Sequence, residues 1–411
     1  MTSSKRAAGR LFWALCVVGF FAILSSTMSK NPVLNPFARA LGTPDSLMGF
    51  VAAASTIPGI LVSLPAGSLS DIFGRRKILF VSGAIFASAP FLYLLVGSWW
   101  QLALVRFYHG FATAMFVPVG NAFVAELFPA TRAERISLFS SMTTVGRTVA
   151  PFLGGYILFL TNYGFHELYL AVGMAGITAF ITALVLLKEK PQTGKHDSVA
   201  QRGSYLFEGW IAVAGNRCTL AVSLVEASQY YAFGATEFFL VGYLTEIAHV
   251  DPLMLGIVTG SQLAAVTLLK PLMGRLSDKI GRRTPIIAGS ILGAFALGTI
   301  PLTTHSSLLL LISILYGVGF SMVTSSTPAL VSEITSKSLM GTGMGFLSTI
   351  MDVGQTLGPI MTGFVLATSL GYLGSFTSLT AILLAACTIF AVSTAKIQKS
   401  SAETTGSSKC A

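Results

Sequence analysis

Long apolar runs alternate with short polar breaks along this chain. A bilayer core of about 30 Å takes about 20 apolar residues as one helix. Runs on that scale occupy 11–37, 46–68, 78–97, 101–125, 136–160, 167–187, 218–244, 252–273, 285–302, 306–332, 340–366 and 371–394, which predicts twelve transmembrane helices. The long polar stretch 188–216 separates the sixth run from the seventh. The expected organisation is an N-terminal bundle of six helices (1–187), a linker (188–216), a second bundle of six (217–396) and a Ser/Thr-rich, disordered tail (397–411). The first run follows Lys5, Arg6 and Arg10 as in a signal peptide. It lacks a small-residue cleavage site, so it is expected to stay as a helix.

A repeat sits on this pattern. The polar break Gly67-Ser-Leu-Ser-Asp71-Ile-Phe-Gly74-Arg75-Arg76-Lys77 is written again as Gly274-Arg-Leu-Ser-Asp278-Lys-Ile-Gly281-Arg282-Arg283, 207 residues on. Gly, Leu-Ser-Asp, Gly and Arg-Arg coincide in register. A charged, glycine-bearing turn recurring at half the chain length marks two similar halves. Glycine lets helices approach closely, and the aspartates can accept from helix N-termini or pair with bases.

Composition agrees with the membrane reading: 53% of the 411 residues are hydrophobic and 10% charged, against about 25% charged in soluble domains. The net charge of +10 follows from orientation. With the N-terminus in the cytoplasm, 21 of the 26 Lys and Arg fall on the inner side, as basic loops should. Both termini are then cytoplasmic and nucleic acid is not needed as a partner. Four cysteines lack paired spacing and read as small apolar residues, without disulfides or metal.

The repeated turn resembles the signature loop of the major facilitator superfamily, and the likeness extends over nearly the whole chain. It implies the major facilitator fold, an all-α membrane protein with two pseudo-symmetric six-helix bundles, a substrate cavity and alternating access. The family's latch at the inner side is carried onto Gly67, Asp71, Gly74, Arg75 and Arg76, and onto Gly274, Asp278, Gly281, Arg282 and Arg283. Leu102-Ala-Leu-Val-Arg106-Phe-Tyr-His109-Gly110 resembles the family's fourth-helix arginine pattern, with His109 where glutamine is usual. Gly146-Arg-Thr-Val-Ala150-Pro151-Phe-Leu-Gly154-Gly155 resembles the antiporter signature, with Ala150 in place of glycine. Gly354-Gln-Thr-Leu-Gly358-Pro359 repeats it, 208 residues on. Asn31-Pro32-Val-Leu-Asn35-Pro36 is similar to the proline pair of twelve-helix drug:proton antiporters. Gly146, Pro151, Gly155, Gly358 and Pro359 are therefore candidates for helix bends that open or seal a cavity, or for plain close packing.

An ionisable residue within a span costs about 2.5–3.5 kcal/mol on insertion scales and is a functional candidate. Asp352, among apolar neighbours, is the kind of carboxylate that loads and releases protons at working pH. Glu226 and Arg106 complete the proton-coupling candidates. Arg147, Gln229, Tyr230, Gln262 and Gln355 are the substrate-cavity candidates; Gln229 and Tyr230 follow Glu226 at i+3 and i+4 and share its helix face. Lys270 can snorkel from a span end. Lys30 and Glu237 lie 207 residues apart, at equivalent places if the halves are symmetric, and are candidates for an outer gate.

These readings converge on a secondary transporter in the plasma membrane that exchanges protons for small amphipathic or cationic compounds and exports them. The alternative is an importer of a small metabolite. A monomer without cofactor or metal is expected. No G-x-x-x-x-G-K-[ST] loop occurs, against ATP drive, and scattered histidines argue against an enzyme.

Overall fold

The computed structural model describes residues 3–62, 74–186, 217–335 and 340–403. Gly67, Asp71, the linker 188–216 and the end of the tail lie outside them. All regular structure among the described residues is helical. The helices are α1 Ser3–Met28, α2 Leu34–Ala40, α3 Asp45–Ala53, α4 Arg75–Tyr93, α5 Trp99–Leu127, α6 Arg132–Leu160, α7 Phe165–Leu186, α8 Arg217–Glu246, α9 Pro252–Ile280, α10 Arg283–Thr299, α11 Ser306–Ile334, α12 Met340–Leu366 and α13 Gly371–Glu403. The run expected as one span at 11–37 is split between α1 and α2, because Pro32 has no N–H to continue the ladder. Helix resumes over 57–62 after α3. Helix α13 continues to Glu403, past the residue 396 at which the disordered tail was expected to begin.

Eight helices among the described residues are long and apolar enough to cross a membrane: 8–28, 45–62, 99–127, 165–185, 252–280, 283–302, 306–334 and 371–395. Helices α4, α6, α8 and α12 are long but fall outside that set. Each carries ionisable residues, as with Arg75 and Arg76 on α4, Arg147 on α6, Glu226 and Glu237 on α8 and Asp352 on α12.

The chain forms two compact units. The first takes in Met1–Asp197 together with Leu244–Gly260, and the second Ser198–Tyr243 with Ser261–Ala411. In the first, α1 packs on α6 and α7, and α4 on α5 and α7. Phe12, Phe86, Phe116, Phe123 and Phe139 fill its centre. In the second, α10 packs on α11 and α13, around Val222, Ile286, Val323 and Phe390. In lipid the apolar effect does not drive helices together, so small residues that let backbones touch do the work. A Cβ on Gly110 of α5 would collide with the Ser55 carbonyl, and one on Gly317 of α11 would lie 2.7 Å from the Gln262 carbonyl. Both members of the second contact stand 207 residues beyond those of the first.

The repeated turn has a backbone cause. Gly74 has φ +91° and Gly281 φ +85°, and each directly precedes or nearly precedes a helix, α4 or α10. A side chain is strained in that left-handed region by about 1–2 kcal/mol. Gly281→Ala is accordingly expected to destabilise the purified protein by about 1 kcal/mol. An unchanged melting temperature would remove the left-handed turn as the reason for glycine.

Cys16 and Cys387 are free and buried. Cys218 is disulfide-bonded. This corrects the expectation of cysteines without disulfides.

Candidate functional site

The second copy of the repeated turn is built from ion pairs. Arg282 donates from Nε to Glu333 Oε1 at 2.8 Å and from Nη1 to Asp278 Oδ1, one helical turn back. Arg283 donates to Thr394 Oγ1 at 3.1 Å and to the Ala391 carbonyl at 2.8 Å, fixing α10 to α13. Gly274 faces open space. In the first copy Arg75 Nε meets Glu126 Oε1 at 2.7 Å, and the Arg76 guanidinium lies 6.0 Å from the Phe123 ring centroid. Arg75–Glu126 and Arg282–Glu333 are again 207 residues apart, member by member. Each joins the start of one helix to the end of the next, α4 to α5 and α10 to α11. The acidic partners went unnoticed in the sequence, although the 207-residue register on acidic residues would have found them.

Within the first unit, Arg39 forks onto Glu246, Nε to Oε1 at 2.7 Å and Nη2 to Oε2 at 3.2 Å, and also pairs with Asp45. Asp251 caps α9 by accepting from Leu253 and Met254 N–H at 3.0 and 3.1 Å, with Pro252 opening the helix. Helix α9 then crosses α6 at touching backbones. A Cβ on Gly155 would lie 2.6 Å from Gly256 Cα, and one on Gly256 would lie 2.6 Å from the Pro151 carbonyl. Gly146 presses on the Phe20 carbonyl of α1. Gly358, with Gly354, presses on the carbonyls of Tyr231 and Ala227 of α8. Pro151 and Pro359 lie inside α6 and α12.

The polar residues of the spans separate into distinct settings. Asp352 is half-buried on α12, and only its backbone carbonyl is engaged, by Thr356 Oγ1 at 2.9 Å. Its carboxylate has no hydrogen-bond or ion-pair partner among the described residues. Glu226, 3% exposed, accepts from Thr327 Oγ1 at 2.5 Å, and Lys270 is near enough to act on its charge. Gln229 is buried and donates to Ser290 Oγ at 3.3 Å, so it points towards α10. Tyr230 packs on Phe320, 5.2 Å between centroids. Gln262 is buried, with Nε2 unpartnered. Arg147 and Gln355 are half-buried. Lys30 is half-buried and Glu237 is 4% exposed.

Arg106 stands in a cluster of its own in the first unit. It is 2% exposed, and its Nη2 donates to Ser55 Oγ at 2.5 Å. The Gly110 contact brings Ser55 there. Tyr93 lies beside Arg106 and stacks on Tyr169, 4.4 Å apart at 7°. His109 is 3% exposed, with Nδ1 3.4 Å from the Tyr93 hydroxyl and 3.5 Å from Ser29 Oγ. Tyr93 and Tyr169 were not singled out in the sequence; the i, i+3 spacing of Arg106 and His109 was the available signal. Among the described residues no three His, Cys, Asp or Glu side chains gather to hold a metal.

The chain matches the family described as "Major Facilitator Superfamily" over residues 15–242 and 222–409. The chain belongs to the Major Facilitator Superfamily. Relatives include "Uncharacterized MFS-type transporter MJ1560" of Methanocaldococcus jannaschii, 24% identical over 362 residues, covering 86% of this chain and 88% of the relative. "Multidrug resistance protein Stp" of Mycobacterium tuberculosis is 22% identical, covering 85% and 74%. Among solved structures, a bacterial homolog to the human lysosomal transporter Spinster, in an inward-facing and occupied conformation, superposes with a TM-score of 0.81. It is 17% identical, covering 97% of this chain and 99% of that one, and it shows the shared fold. This superfamily member is a transporter with the multi-pass helical build of a membrane protein, and its relatives include proteins named for multidrug resistance.

Proposed function

We propose that this transporter couples proton entry to export of small amphipathic compounds, through twelve spans with both termini in the cytoplasm. Helices α4, α6, α8 and α12 supply the four spans beyond the eight most apolar ones. At about 1.5 Å per residue, their 19, 29, 30 and 27 residues are long enough. The observation that carries the coupling is Asp352: a carboxylate within a span, with no partner charge among the described residues. Such a group can pass between protonated and ionised states as its access to water changes. Glu226, held by Thr327, is the more fixed of the two carboxylates.

Alternating access needs a closure that forms and breaks. The Gly155–Gly256 crossing and the Arg39–Glu246 pair are our candidates for the outer one, and the twin arginine–glutamate pairs support the inner turns. Multidrug-resistance relatives favour export of apolar compounds of varied shape, which suits adaptable apolar walls. The test is transport by purified protein in liposomes, with an imposed pH gradient and a panel of amphipathic compounds. Compounds should accumulate against their own gradient on the acid side. Flux indifferent to the gradient would leave a facilitative carrier and remove proton coupling.

A further inference from the structure

We propose that Arg106 and His109 form a binding site for an anionic group, a carboxylate on the transported compound. The proposal rests on the transporter reading above and gives it a substrate class. Its starting point is a buried cation with nothing to balance it. Arg106 is 2% exposed and its Nε has no partner. No carboxylate among the described residues pairs with it. Unlike lysine or histidine, arginine cannot escape burial by giving up its proton. A buried charge left unpaired is costly, so an opposite charge is wanted there. Ser55 Oγ and the Tyr93 hydroxyl offer the guanidinium neutral dipoles only.

A second group lies beside it. His109 Nδ1 is 3.4 Å from the Tyr93 hydroxyl and 3.5 Å from Ser29 Oγ, which gives its own proton to the Ser26 carbonyl at 2.7 Å. His109 Nε2 is buried and unpartnered. With the ring proton on Nε2, Arg106 Nε–H and His109 Nε2–H are two unused donors, three residues apart on one helix face, and together they suit the two oxygens of a carboxylate. A cationic compound would meet the charge of Arg106, and a neutral one would leave the donors poorly paid in hydrogen bonds. Ser55, half-buried, marks the more open side of the cluster.

The test is binding to the whole protein in nanodiscs of zwitterionic lipid. The probes are an aromatic carboxylic acid, its methyl ester and the matched amine, each in chloride and in gluconate buffer. The acid should bind at least about tenfold tighter than the ester, from one charge-assisted contact. Arg106→Gln should abolish that preference. Should Arg106→Gln fail to fold, Arg106→Lys must bind the acid more weakly while still preferring it to the ester. Equal binding of acid and ester overturns the site, as does a preference that survives Arg106→Gln. Full stabilisation by chloride without an acid preference overturns it too, in favour of an inorganic ion. Flux of ester and amine with no preference for the acid sinks the site and leaves the transporter reading standing. Acid-selective binding without flux of any compound supports the site and counts against that reading.

Discussion

Gly256→Leu is expected to abolish transport, by about tenfold or more, and to loosen Leu244–Gly260 from the rest of the first unit. The reason is steric. Already the first side-chain carbon would stand 2.6 Å from the Pro151 carbonyl and 2.8 Å from Gly155 Cα, both backbone atoms that cannot swing aside. Overpacking of this kind costs about 1–3 kcal/mol in an ordinary core. A conformation shifted by that much loses a factor of about 5 to 150 in population. As α9 is lifted from α6, the Arg39–Glu246 fork must stretch as well. The readout besides flux is a cysteine at Leu255, which is fully buried. In a background lacking the native cysteines, Leu255→Cys should resist a membrane-impermeant thiol reagent and become reactive once Gly256→Leu is added. A cysteine still protected in a Gly256→Leu protein that transports normally would show that the crossing accommodates the side chain without opening, against the steric argument.

The same crossing shows what could be read from the sequence. Gly155 was visible as a member of the antiporter-like pattern, because glycine and proline in a span are conspicuous. Gly256 was not, since a glycine among Leu, Ile and Val near a helix start looks like ordinary packing. The 207-residue repeat was legible from the charged turn, and it extends further than the turn does. It relates Gly110–Ser55 to Gly317–Gln262, and Arg75–Glu126 to Arg282–Glu333. A repeat states which residues are equivalent, yet it is silent on which ones touch. The offset suggested Lys30 and Glu237 as a gate, and the same offset relates the members of a further ion pair, Arg39–Glu246. Glu126 and Glu333 were passed over because a carboxylate at a span end needs no explanation until its partner is seen. Gln229 illustrates the limit of helical spacing. Periodicity puts it on the face of Glu226, and only tertiary packing reveals that this face meets Ser290.

Asp352→Asn is expected to remove uphill transport while sparing downhill exchange. The substitution keeps shape and polarity and takes away only the proton-binding oxygen. One proton exchanged per molecule of substrate, at zero membrane potential, can support about tenfold accumulation per pH unit, since one unit is worth about 1.4 kcal/mol. The Asp352→Asn variant should reach no accumulation across the same gradient, yet exchange labelled for unlabelled compound at a rate near wild type. Folding should be little affected, because the carboxylate holds no hydrogen bond among the described residues that an amide would break. Glu226→Gln makes the contrast. Its amide oxygen can still accept from Thr327 Oγ1, so a structural role for Glu226 predicts near-normal accumulation. Accumulation that persists in Asp352→Asn and vanishes in Glu226→Gln would move the proton site to α8. The carboxylate with a fixed partner would then be the one that titrates, and exposure of Thr327 during the cycle would have to be what frees it. Loss in both variants would instead require two carboxylates acting in series, with Glu226 passing through a state in which Thr327 lets it go.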